Sequence, residues 1–269
     1  MRIALIQTEP IPGDVPANLH ALDAALTQAA HQGARLALTP ELTDFGYDLL
    51  AARQYAVHTW PATTARMAEM ACRHGMYLAC GVAMPQTDAL TNALALWNPQ
   101  GDLVASYAKL HLFSGSTPSE AEIFYPGKGP VMADIGGIRI GLAICFDLRF
   151  PELFRLYTHA GCSAVVVAAA WPKKRGALWQ SLLIARAAEN AMGILGANHT
   201  GSQPFALAGG SAAVTPLGEI QRLDQTPGVL VADLAAWPPT PPALNPTSQR
   251  RSDLYRVMGT QPQCFDAGA

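Results

Sequence analysis

Residues 164–170, Ala-Val-Val-Val-Ala-Ala-Ala, form an unbroken apolar run with three β-branched valines in it. A run of this length and composition reads as a strand covered on both faces, the kind found inside an α/β fold. Upstream, residues 138–145 read as another strand, and between the two lies a helix near 151–160 with Pro151 in its first turn and Gly161 past its end. Together they make a βαβ unit, which requires a sheet with helices on its face.

The same alternation opens the chain. Residues 2–7 read as a strand, and 18–32 as a helix with Asn18 at its N-cap and Gly33 beyond it. A strand over 36–39 stops at Pro40, a helix over about 62–74 is closed by Gly75, and a strand runs from 77 to about 84. The middle is richer in β-structure: 92–97 and 103–113 flank the turn Asn98-Pro99-Gln100-Gly101-Asp102, and 131–135 joins 138–145 across Gly136-Gly137. A helix over 177–191 and strands near 193–198, 210–215 and 228–233 complete the core. Five prolines between Trp237 and Pro246 predict an extended segment. The expected organisation is one domain over 1–236 and a Pro-rich arm over 237–269 that packs on the domain or on a dimer partner.

Composition excludes several function classes. Half of the 269 residues are apolar and only 14% are charged, which is incompatible with a disordered chain. Eighteen basic residues against twenty acidic ones give a net charge of −2, so nothing in the charge balance draws the chain to nucleic acid or an acidic membrane. No window approaches the roughly 18–20 apolar residues of a membrane span, and the apolar run at 3–6 is too short for a signal peptide. The five cysteines (Cys72, Cys80, Cys145, Cys162, Cys264) are odd in number and widely spaced, as expected for a cytoplasmic protein with free thiols. Seven scattered histidines offer no i, i+4 pair, so no metal is expected, and no glycine-rich phosphate loop or dinucleotide fingerprint indicates a cofactor.

Three residues interrupt this apolar background, two at strand ends and one inside a strand. Cys145 closes the strand 138–145 immediately before a turn and a helix, where an α/β fold exposes a nucleophile and where backbone N–H groups converge. A buried structural cysteine is the alternative reading. Glu41 follows the strand ended by Pro40, and Lys109 sits among apolar residues in Tyr107-Ala108-Lys109-Leu110-His111-Leu112-Phe113. A carboxylate, an ammonium and a thiol at the ends or edges of sheet strands supply a base, an electrostatic clamp and a nucleophile.

Pro40-Glu41, Lys109-Leu110-His111-Leu112-Phe113 and Cys145-Phe146-Asp147-Leu148-Arg149-Phe150-Pro151-Glu152 resemble, in order and spacing, the three catalytic motifs of the nitrilase or carbon–nitrogen hydrolase superfamily. Ala169-Ala170-Trp171-Pro172, Gly209-Gly210-Ser211 and Pro216-Leu217-Gly218 are similar to its flanking signatures, so the resemblance spans nearly the whole chain. It implies an α/β four-layer αββα sandwich of the nitrilase-like kind, paired into a homodimer or higher homo-oligomer. It further implies Cys145 as nucleophile, Glu41 as general base, Lys109 as the cation beside the tetrahedral intermediate and the Phe146 N–H as a second oxyanion donor. The second glutamate implied by the family is Glu120, with Glu122 as the alternative. Cys145-Phe146-Asp147 resembles the amidase-like branches, among them ω-amidases and deaminated-glutathione amidases. The implied substrate is a small-molecule carboxamide; a nitrile, an N-carbamoyl compound, or binding without turnover are the other outcomes. Trp171 is expected to line the pocket, with Phe45, Tyr47 and Phe205 as further candidates. Arg149, Lys173, Lys174 or Arg175 either meets a substrate carboxylate or is structural, with Arg149 bracing the turn through a salt bridge. His111 is expected to pack rather than to act as a base.

Overall fold

A computed structural model describes residues 1–87, 89–237, 240–251, 253–254 and 261–267. The elements in chain order are β1 (Arg2–Gln7), α1 (Val15–His31), β2 (Leu36–Leu38), α2 (Leu49–His74), β3 (Tyr77–Pro85), β4 (Leu90–Trp97), β5 (Leu103–Ala108), β6 (Val131–Ile135), β7 (Ile138–Ile144), α3 (Pro151–His159), β8 (Ala164–Ala169), α4 (Gly176–Asn190), β9 (Gly193–Asn198), β10 (Ala212–Val214), β11 (Ile220–Arg222), β12 (Gly228–Asp233) and β13 (Gln263–Asp266).

The strands form two sheets. One has the order β12-β1-β2-β3-β4-β5, and the other β11-β10-β9-β8-β7-β6-β13. Within each, the three strands joined by helical crossovers run parallel: β1, β2 and β3 in the first, β7, β8 and β9 in the second. Each sheet buries one face on a helix layer and the other on its partner sheet, giving the expected αββα sandwich. Alternation along β1 shows the consequence: Ile3 and Leu5 join the core between the sheets, while Ala4 and Ile6 join the core beneath α1 and α2. The run 164–169 is fully buried because it lies at the centre of a sheet covered on both sides. Burying each of its valines contributes on the order of 1.5–3 kcal/mol.

Element boundaries differ from the sequence pattern where side chains override it. Helix α1 starts at Val15, capped by Asp14, whose carboxylate accepts from Ala17 N at 3.0 Å. Asn18, expected at the cap, is buried one turn further on and donates to the carbonyls of Ile11 and Asp44. Helix α2 begins at Leu49 rather than near 62, with Asp48 as its cap, and runs through Pro61, which disguises its first half as a loop. The expected strand over 103–113 ends at Ala108. Lys109, Leu110 and His111 therefore lie in the loop beyond it, and the periodicity of a strand does not put Lys109 and His111 on one face.

The C-terminal segment is more structured than an extended arm. Its residues 242–244 form a short 3₁₀ turn, and β13 adds a parallel edge strand beside β6. Residues 238–239, 252, 255–260 and 268–269 of the expected arm lie outside the described residues. Among the described residues, no helix is long and apolar enough to cross a membrane.

Candidate active site

The carboxyl ends of β2, β5, β7, β8 and β9 meet at one end of the sandwich. There the two sheets bring together the charged residues that interrupt the apolar pattern. Glu41, Lys109 and Glu120 are all completely buried. The Lys109 ammonium donates to Oε1 of Glu41 and to Oε1 of Glu120, each at 2.7 Å. Two carboxylates thus share one cation.

Each member is held by backbone as well as side chain. Glu41 follows β2 in a loop that crosses β3 closely enough that a Cβ on Gly81 would lie 2.2 Å from the Pro40 carbonyl, so only glycine admits the crossing. Its Oε1 also accepts from Asn92 Nδ2 at 2.7 Å, and its Oε2 from Ala170 N at 2.9 Å. Lys109 N donates to the Asn92 carbonyl at 2.8 Å, and its own carbonyl accepts from Gly127 N at 2.9 Å. Glu120 sits at the start of a 3₁₀ turn, where Oε1 also accepts from the Tyr47 hydroxyl at 2.5 Å and Oε2 from Phe113 N at 2.8 Å. Glu122, two residues on, is exposed and takes no part in this cluster.

Cys145 is the first residue after β7. Its φ of +46° is in the left-handed region, a conformation that costs a non-glycine residue roughly 1–3 kcal/mol. The surrounding contacts over-determine it. Asp147 Oδ2 accepts from Ile144 N at 3.0 Å, and Arg186 Nε donates to the Leu148 carbonyl at 3.0 Å. The strained turn tips the thiol towards the end of the sheet, where it is 8% exposed and lines a cavity of about 380 Å³. Phe146 is the second residue of the 3₁₀ segment 145–149, so its N–H precedes the first i+3 hydrogen bond and is free of the segment's own ladder.

Burial and the charges of this cluster set the protonation states. Desolvation pushes the Glu41 carboxyl up, reinforced by Glu120, against the downward pull of Lys109 and Asn92. The Cys145 thiol is likewise pushed well above its ordinary range by burial and then by Glu41, while Lys109 opposes. Desolvation disfavours the charged form of Lys109, but Glu120 and Glu41 outweigh it and raise its pKa, so it stays an ammonium. Burial therefore favours the thiol form of Cys145, and Lys109 stays a cation between the two glutamates.

The cavity wall includes Tyr47, Phe113, Phe146, Trp171 and Phe205. Phe45, expected there, is instead buried in the core under α1 and α2. Arg149, Lys174 and Arg175 also line the cavity, whereas Lys173 does not. The Arg149 guanidinium stands 5.9 Å from the Phe146 ring and that of Arg175 5.6 Å from the Phe113 ring. Among the described residues no salt bridge involves Arg149; Asp147 and Arg186 brace the turn in its place. His111 stacks on Phe150 at 3.5 Å and contacts Asp147 through Nδ1 at 2.7 Å.

The residues that match a family model described as carbon-nitrogen hydrolase are 2–236, which takes in every strand of this site. The chain belongs to the carbon–nitrogen hydrolase family. Its relatives place it in the amidase-like branch. It is 31% identical to an ω-amidase from Homo sapiens over 97% of this chain and 99% of that protein. It is 32% identical to a 2-oxoglutaramate amidase from Bacillus subtilis over 67% of this chain and 70% of that one. An amidase from Nesterenkonia sp. AN1 superposes with a TM-score of 0.84 at 34% identity, covering 94% of this chain and 98% of the other. Another structure of that amidase carries acrylamide added at its active-site cysteine. This carbon–nitrogen hydrolase is an amidase that works through a cysteine, as the motifs imply.

Sequence reasoning missed several supports of the site. Asn92 is a buried polar side chain that, with Thr91, precedes the apolar Ala93-Leu94-Ala95-Leu96-Trp97 of β4, and that break in the pattern was its signal. Asn198 holds the Trp171 backbone through Trp171 N at 2.7 Å. His199 reaches the Glu41 carbonyl with Nε2 at 2.9 Å while its Nδ1 lies 3.0 Å from Thr8 Oγ1. A carbonyl only accepts, so Nε2 carries the proton and Nδ1 accepts from the threonine hydroxyl.

Proposed function

We propose that Cys145, Glu41, Lys109 and Glu120 carry out the amidase reaction, on an ω-amide of a small carboxylic acid. The observation that supports this most directly is the shared Lys109 ammonium, 2.7 Å from each of two buried carboxylates beside the thiol.

In the acylation step the Cys145 sulfur forms a bond to the amide carbon while its proton passes to the Glu41 carboxylate. The carbonyl electron pair moves onto oxygen, and the oxyanion is met by Lys109 and the Phe146 N–H. When the carbonyl re-forms, the C–N bond breaks and the proton on Glu41 goes to the departing ammonia. The thioester that remains is attacked by water, whose proton Glu41 takes; the C–S bond then breaks and the thiol recovers its proton. A carboxyl that both accepts and returns a proton works best when its pKa is raised towards neutrality, which is what burial does to Glu41. Glu120 accepts from Lys109, Tyr47 and Phe113 and so holds the cation in place.

For the substrate tail, the cavity offers aromatic walls and the cations Arg149, Lys174 and Arg175, and no aspartate or glutamate lines it among the described residues. A carboxylate is the tail that this lining accommodates, in keeping with the relatives named as an ω-amidase and a 2-oxoglutaramate amidase. The reading extends to a cytoplasmic homodimer or larger homo-oligomer, with the 237–269 segment packed on the 1–236 domain or its partner; sedimentation velocity checks the assembly.

The test is ammonia release from a panel of ω-amido acids, uncharged amides, nitriles and N-carbamoyl compounds. The parent enzyme should favour the ω-amido acids, and Cys145→Ala should be folded and inactive. Ammonia release retained by that variant overturns the nucleophile assignment, and equal specificity constants for an ω-amido acid and its uncharged analogue overturn the carboxylate site.

A further inference from the structure

The two oxygens of Glu41 are not equivalent. Oε1 receives two donors, Lys109 Nζ and Asn92 Nδ2, both at 2.7 Å. Oε2 receives one, Ala170 N at 2.9 Å, and Ala170 lines the cavity together with Cys145. A proton on Oε1 would face two N–H groups head on. One on Oε2 meets a single N–H, that of Ala170, on the side of the cavity that Cys145 also lines.

We propose that Asn92 is a positioning residue for proton transfer: by filling Oε1 together with Lys109, it leaves Oε2 as the atom that exchanges a proton with Cys145 and with the leaving ammonia. This rests on the reading of Glu41 as the base.

Packing gives no reason for an amide at position 92. The residue is fully buried in β4, whose neighbouring positions 93–97 are apolar and buried, and its Oδ1 has no hydrogen-bond partner. An unsatisfied buried acceptor costs roughly 1–3 kcal/mol, so an apolar residue of the same shape would serve the sheet at least as well. What the amide adds is the bond to Glu41. The bond from Lys109 N to the backbone carbonyl of residue 92 is independent of the side chain and is kept in any variant.

The groups that face Glu41 come from every element around it: Lys109 beyond β5, Glu120 in the 3₁₀ turn, Cys145 beyond β7 and Tyr47 from its own loop. His199, beyond β9, faces its backbone carbonyl and is kept neutral by burial. Of these groups and Asn92, only Lys109 and Asn92 stabilise the carboxylate by side-chain hydrogen bonds. With the amide gone, Glu41 keeps its proton to higher pH, and the acidic limb of the activity profile moves up.

The experiment compares Asn92→Leu, which keeps the shape without the donor, with Asn92→Asp, which replaces the donor by a carboxyl. Two readouts are taken against pH: kcat/KM for an ω-amido acid, and the rate of Cys145 alkylation by iodoacetamide, which does not depend on turnover. Circular dichroism and Tm establish folding, and Glu41→Gln is measured in parallel. The expected result is an alkaline displacement of the acidic limb by about one pH unit in both readouts, with kcat reduced more than KM is changed. A parental limb in either folded variant, whatever the drop in rate, overturns the proposal. Loss of folding in both variants also overturns it, since Asn92 would then support the sheet. If folded Glu41→Gln keeps parental turnover and alkylation, the base assignment itself falls. If Glu41→Gln is inactive while the Asn92 variants keep the parental limb, only the role of Asn92 falls.

Discussion

The phenol of Tyr107 donates to Oδ2 of Asp147 across 2.7 Å, joining the strand that leads to Lys109 with the turn that carries Cys145. Asp147 is completely buried and spends its other oxygen on the backbone N–H of His111 at 3.0 Å. One carboxylate therefore fixes the relative position of cation and thiol, although it touches neither. Replacing it with alanine strands these donors in the interior. Asp147→Ala is expected to lose about 3 kcal/mol of stability in urea titrations and to lower kcat sharply. Tyr107→Phe, which removes one bond, should cost about 1 kcal/mol.

Removing the shared cation has a different signature. Lys109→Met leaves Glu41 and Glu120 buried together without a counter-ion, and breaking a buried pair in this way costs about 3–5 kcal/mol. The two carboxyls then hold protons more tightly in the folded than in the unfolded chain. Stability of the variant should accordingly be greatest in acid and fall as pH rises, which thermal melts from pH 5 to pH 8 can measure. Activity should be abolished throughout.

Two buried groups outside the reacting cluster pull stability in opposite directions with pH. Burial depresses His199 to about 4, so between that value and its ordinary 6.5 the unfolded chain binds the extra proton, and stability falls on acidification. Burial raises Asp44 to about 7, so its contribution is present in acid and is lost as pH rises through about 7. His199→Gln should therefore flatten the loss of stability between pH 6.5 and pH 4, and Asp44→Asn should steepen it. Denaturant midpoints at both pH values distinguish the two.

The cationic lining of the cavity makes a claim about the substrate tail. Arg149→Gln and Arg175→Gln should each raise KM for an ω-amido acid by roughly tenfold, the magnitude expected on losing a charge-assisted hydrogen bond. The penalty should shrink for an uncharged amide of the same length. Equal losses on both substrates would assign the arginines to shaping the aromatic wall instead.

How much of this was legible in the sequence depends on what each residue interrupts. Glu41 and Cys145 stand out because they break apolar strands at their ends and Lys109 because it breaks an apolar run expected as one strand over 103–113, and the structure brings all three together. Glu120 and Glu122 are two residues apart in a polar stretch, and only the 3₁₀ turn decides that Glu120 faces inward and Glu122 outward. Asn18 looked like a cap because caps are local, whereas its bonds reach to Ile11 and Asp44. Pro61 concealed half of α2, and β13 pairs with a strand some 130 residues earlier, a partnership that no local pattern encodes. Long-range contacts also define His199 and Asn198, whose partners come from other elements.

Strand β1 lies between β2 and β12, and the β12 edge is supplied from the far end of the domain, with Arg2 opposite Asp233. A ribosome adding roughly 5–20 residues per second takes on the order of ten seconds or more to deliver that partner after β1 has emerged. For that interval a nascent sheet has one apolar edge open, and Cys145 is synthesised before the interval ends. Glu41 and Lys109 reach Cys145 only after docking of the two sheets. The hazard of synthesis is thus association at the open edge of β1, while the Cys145 thiol keeps its ordinary pKa until burial raises it.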